Sequence, residues 1–179
     1  MLFIIIIVIG LVVFFIFRSS SRTVGAVQSN HCQYFDNFQF SAQEFFALVE
    51  SMIKERQVPD AKMSRVSYHQ KSIFSDKREY LRIERKNDIF DICAAPFGTG
   101  FFVSYWHGEP KHRARDFAMK IPYLNTAVEG WQGTTYYQVD TANMFRLCVK
   151  DSIADAIDQV AKDKGTRGFS EAERMAFAS

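Results

Sequence analysis

The chain opens on an unbroken apolar run. Met1–Phe17, MLFIIIIVIGLVVFFIF, holds one glycine and no charged residue. At roughly 1.5 Å per helical residue it reaches about 25 Å, just short of a hydrocarbon core of about 30 Å. A backbone in lipid must satisfy its own hydrogen bonds, so residues 1–17 are predicted to form a single transmembrane helix. The anchoring residues would be Leu2, Phe3, Ile4, Ile5, Ile9, Val12, Phe14, Phe15 and Phe17. A cleaved signal would carry basic residues before its apolar stretch and small residues at the cut. Here nothing basic precedes the run and Arg18-Ser-Ser-Ser-Arg22 follows it, so the segment is expected to stay as an anchor. Arg18 and Arg22 also set the orientation and meet the lipid headgroups. The positive-inside tendency puts the N-terminus outside and the rest of the chain in the cytoplasm, at an inner or plasma membrane. The span carries no ionisable side chain for ion or proton transfer. Gly10 faces Ile6 and Phe14 one turn away, so no GxxxG dimer face is present.

Beyond the anchor the pattern breaks up. Residues 18–30 (RSSSRTVGAVQSN) form a polar linker, and residues 31–179 are enough for one soluble domain. Cys32–Phe40 alternates loosely and reads as a short strand. Ser41-Ala-Gln-Glu44 is a capping box, and Phe45, Leu48, Val49, Met52 and Ile53 recur at helical spacing until Pro59 forces an end. From residue 64 the period switches towards two, giving strands over 64–74, 77–86, 89–95 and 101–106. Turns are expected at Ser75-Asp76, at Asn87-Asp88 and in the loop from Pro96 to Gly100. In the strand over 77–86 Leu81 and Ile83 share one face, while Arg78, Tyr80, Arg82, Glu84 and Lys86 share the other. Residues 107–133 read as a surface loop with a short helix. Thr134–Val139 (TTYYQV) is β-branched and aromatic enough for a further strand. Asp140 then caps a long helix over 141–164, closed by Gly165, and Ser170-Glu-Ala-Glu173 opens a short terminal helix over about 171–177.

These elements predict an α+β fold. A single N-terminal transmembrane helix leads to an antiparallel sheet of about five strands, packed with one N-terminal helix and one long C-terminal helix. That element order resembles helix-grip domains, in which a curved sheet wraps a long last helix and holds a lipid-like ligand. The resemblance lies in the order of elements, and no motif is shared.

Charge and chemistry alter this picture little. The formal balance is +2, and the chain carries 18 phenylalanines. Acidic residues interleave with the basic ones, so the field is too weak to expect a nucleic-acid partner. Three widely spaced cysteines (Cys32, Cys93, Cys148) make no disulfide framework and fit a reducing compartment. His107-x-Glu109-x-x-His112 lacks the tight spacing of a zinc site. Cys93 and Cys148 read as packed thiols, and Gly98-Thr-Gly100 leads into a strand rather than a helix, so it makes no phosphate cradle. No catalytic residue, metal or cofactor is predicted. The residues singled out instead form a possible partner or lipid surface: Arg78, Tyr80, Arg82, Lys86, Trp106, Lys111, Arg113 and Arg115. The expected function is that of a non-enzymatic, membrane-anchored accessory, structural or assembly subunit. Its partners would be other subunits of a membrane complex, with anionic lipid at the surface. The alternative is a membrane-tethered domain that binds a lipid or other apolar ligand, and an enzyme of another kind ranks third.

Overall fold

The computed structural model describes residues 24–69, 77–110, 135–165 and 167–178, and among them are five strands and three helices. The strands are β1 (Val24–Phe35), β2 (Lys62–His69), β3 (Lys77–Arg85), β4 (Asp88–Phe97) and β5 (Gly100–Pro110). The helices are α1 (Ala42–Glu55), α2 (Tyr136–Asp163) and α3 (Glu171–Ala178). The fold is α+β. Its antiparallel sheet has the order β1-β5-β4-β3-β2, so β2 to β5 form a meander and the first strand pairs with the last.

Register fixes the two ends of this sheet. Val24 pairs with Pro110, Arg85 with Asp88 and Lys62 with Glu84 at one end. Phe35 pairs with Phe101, Phe97 with Gly100 and His69 with Lys77 at the other. Where β1 crosses β5 the ladder slips between Val24 and Ser29. Gly108 is required there, because a Cβ would run into the Ala26 carbonyl.

The side chains that alternate onto one face make the core. Leu81, Ile83, Phe90, Ile92, Phe101, Val103 and Tyr105 from the sheet are buried against Phe45, Phe46, Val49 and Ile53 of α1. Phe145, Val149, Ile153, Ala156 and Val160 of α2 complete that layer. Each Val, Leu, Ile or Phe side chain among them contributes about 1.5–3 kcal/mol by leaving water. The phenylalanine surplus is spent here: Phe101 lies 6.0 to 6.1 Å, centroid to centroid, from Phe38, Phe40 and Phe45. Helix α3 closes the β1 side, with Phe177 against Tyr105 and His31. The Tyr105 hydroxyl donates to the Phe177 carbonyl at 3.0 Å, which satisfies an end-of-helix acceptor.

Helix α1 starts as its pattern predicts, with Ser41 accepting from the Glu44 amide, and ends at Glu55, before Pro59. Gly165 follows the end of α2 in the left-handed region (φ 67°). At α3, Ser170 Oγ accepts from the Glu173 amide while Glu173 Oε2 accepts from the Ser170 amide.

Several expectations need correction. β1 takes in residues 24–30, which the composition assigned to the linker, and stops at Phe35, so Phe38 and Phe40 pack from a connection. β4 continues through Pro96 and Phe97, and β5 extends to Pro110, beyond the expected end at Trp106. Residues 135–139 are not a strand. Thr135 caps α2: its hydroxyl accepts from the Gln138 amide (3.3 Å), and Gln138 Oε1 accepts from the Thr135 amide (3.1 Å). Asp140 lies inside the helix. The β propensity of Tyr136, Tyr137 and Val139 fails because all three are exposed and have no sheet to pack on. We expect Thr135→Ala to destabilise the protein by about 1 kcal/mol in urea unfolding followed by circular dichroism, and Asp140→Ala to cost less. The reverse ranking would place the helix start at Asp140.

The predicted anchor, the Ser75-Asp76 turn and residues 111–134 lie outside the described residues. Among the described residues no helix is long and apolar enough to cross a membrane.

Candidate functional site

Opposite the helices, the sheet presents a second set of alternating side chains. One row runs Asn30, Trp106, Asp91, Arg82 and Ser64 across all five strands. At its centre Arg82 and Asp91 face each other in a bidentate pair. Arg82 Nε donates to Asp91 Oδ1 and Nη2 to Oδ2, both at 2.7 Å. Tyr68 from the edge strand adds its hydroxyl to Asp91 Oδ2 at 2.7 Å. Burial works against the guanidinium charge, yet the hydrogen bond and charge of Asp91 hold the Arg82 pKa above its ordinary value. Burial, and then Asp91, push the Tyr68 hydroxyl upward, so it stays protonated and a donor.

Arg82 therefore does not serve as the surface contact expected of it. It is 2 % exposed and Asp91 3 %, so the pair is structural. Tyr80 and Trp106 stand on the same face. Tyr80 packs edge-on against Tyr68 at 5.3 Å, and Trp106 is 42 % exposed. Together with Val24 and Val27, these side chains and Asp91 line an open cleft of about 270 Å³. Two tyrosines, a tryptophan and two valines surround one fixed carboxylate. Such a composition suits an inserted apolar or aromatic side chain from a partner.

The remaining members of the expected surface separate. Arg78 is exposed on the same face but nearer the His69 end, and Lys86 sits in the turn at the Val24 end. Lys111, Arg113 and Arg115 lie outside the described residues.

No family model, curated protein or solved structure matches the chain.

A second polar cluster escaped the sequence patterns. Asp88, expected in a turn, is buried at the start of β4, where its Oδ1 accepts from His107 Nε2 (2.9 Å) and Arg146 Nε (2.8 Å). Burial disfavours the Asp88 carboxylate, but these two donors outweigh it and hold its pKa below the usual range. His107 Nδ1 lies 3.5 Å from Ser29 Oγ. The order serine, histidine, aspartate is that of a hydrolase triad. The surroundings are not. His107 is 3 % exposed and stacked on Phe90 at 4.5 Å, so a substrate has no approach to the imidazole. The cluster ties α2 to β4 and β5.

The other chemical candidates are likewise occupied. Glu109 accepts from Gln28 Nε2 at 2.8 Å, and His112 lies outside the described residues. Cys93 is buried on the sheet, and burial raises its thiol pKa. Among the described residues no three of His, Cys, Asp and Glu converge as metal ligands.

Proposed function

We propose that this chain is a non-enzymatic, single-pass membrane protein. Its α+β domain, on the cytoplasmic side, acts as an accessory or assembly subunit of a larger membrane complex. The observation that carries the reading is the cleft at Trp106, Tyr68 and Tyr80. It is a concave aromatic surface on a rigid sheet, with its one carboxylate already neutralised by Arg82. The apolar run of residues 1–17, followed by Arg18 and Arg22, supplies the anchor and the orientation.

The alternative of an apolar ligand held between sheet and last helix finds less support. Space at that interface, lined by Phe35, Phe38, Phe101 and Ile157 among others, is about 10 Å³. A pocket for a lipid-sized molecule takes roughly 300–1,000 Å³.

The test is mild detergent extraction of the tagged full-length protein at native expression, followed by native mass spectrometry. We expect stoichiometric membrane-protein companions with the unaltered chain and their loss in Trp106→Ala, with circular dichroism unchanged. An unaltered chain that elutes alone, or companions retained by Trp106→Ala and by Tyr80→Ala, would sink the docking role of the cleft.

A further inference from the structure

We propose that the first turns of α2 rest in the headgroup region of the same bilayer that holds the anchor. The inference depends on the anchor reading above and adds a second membrane contact, made by the folded domain.

The placement follows from where α2 meets the sheet. Phe145 packs on Phe90 at 5.9 Å, and Arg146 bonds Asp88, so the helix reaches the sheet at its Val24 end. Its later residues Ile157, Val160 and Ala161 lie beside Phe35, Phe38 and Phe101, at the opposite end. Tyr136 to Met144 therefore carry the helix on past the Asp88 turn, by roughly 13 Å along its axis. The same end is where β1 begins. Only residues 18–23 separate Phe17 from Val24, and a fully extended chain spans at most about 25 Å over those seven steps. If residues 1–17 cross the bilayer, the protruding tip of α2 is held next to it.

The composition of that tip fits the location. Tyr136 is 91 % and Tyr137 77 % exposed, and Met144 and Leu147 are also open to solvent. At 3.6 residues per turn these four fall on one side of the helix. For a water-facing tip this is a poor choice of residues. For the bilayer interface it is a usual one, because tyrosine places its ring among the headgroups and its hydroxyl in water. Asp140 shares the side and sets a limit on depth, so the contact is shallow. Lys86 and Lys62 are exposed at the same end of the sheet, where they can meet anionic phosphates.

The experiment uses the full-length protein in vesicles of phosphatidylcholine and phosphatidylglycerol. The photo-crosslinking residue benzoylphenylalanine replaces either Tyr137 or Thr99, the latter in the turn at the far end of the sheet. Carbonate extraction reports the anchor independently, and circular dichroism checks the fold. We expect carbonate-resistant protein with several-fold more lipid adduct at position 137 than at 99. Carbonate-resistant protein with equal adducts at the two positions overturns the inference and leaves the anchor standing. So does a crosslink from 137 only to a second copy of the chain. Protein released by carbonate overturns both.

Discussion

Replacing Asp91 by alanine is expected to lower the stability of the domain by about 3–5 kcal/mol, a large part of the roughly 5–15 kcal/mol that a domain possesses. The substitution removes both acceptors of the Arg82 fork and the acceptor of the Tyr68 hydroxyl. It leaves a guanidinium that is almost fully covered without the carboxylate that gripped both arms of its fork, Glu84 being a weaker charge neighbour. The size of the effect comes from that stranded charge more than from the attraction of the pair. A second variant separates the two. Arg82→Met with Asp91→Leu removes both charges and keeps the volume, and should recover most of the loss. Urea unfolding of the three proteins is the measurement. A single variant that costs less than about 1 kcal/mol would mean that the pair is solvated like an ordinary surface bridge.

Phe101→Ala is expected to cost about 3–5 kcal/mol. Its ring sits among Phe38, Phe40 and Phe45, and these side chains come from a connection and from α1, which cannot both close in together. Phe97 is the control. It lies in the same hairpin and is 69 % exposed, so Phe97→Ala should stay within about 0.5 kcal/mol. Comparable losses at both positions would show that the hairpin, rather than the ring, sets the cost.

Much of this architecture was legible because burial and period coincide. Leu81 and Ile83 point to the core as their alternation requires, and α1 carries its apolar stripe between the cap and the stop that the pattern marked. The miss at the candidate site came from one residue of turn placement. With Asn87-Asp88 as the turn, Arg82 would face Cys93 across the hairpin. The turn is Lys86-Asn87 instead, Lys86 taking a φ of 51°, and this register sets Arg82 against Asp91. A shift of that size is invisible to hydrophobic alternation, because Asp91 and Cys93 lie on the same face. The start of α2 was misread for a different reason. The local preference of TTYYQV is for a strand, and the decision rests on a cap formed by two polar side chains. The cleft was half legible. Tyr80 and Trp106 share one surface in both readings, but Val24 and Val27 join them only because β1 pairs with the distant β5, and Tyr68 through the β2–β3 hairpin.

The pairing of β1 with β5 has a consequence for synthesis of the protein. Strand β1 has its partner encoded about 75 residues later, which at roughly 5–20 residues per second is a delay of about 4–15 s. Through that interval the nascent chain carries a long strand whose hydrogen-bonding groups have no β5 to pair with, and unpaired strand edges are templates for association. The polar composition of Gln28, Ser29, Asn30 and Gln33 makes such a strand a poor template for self-association. Those residues keep the waiting strand soluble until the ribosome delivers β5.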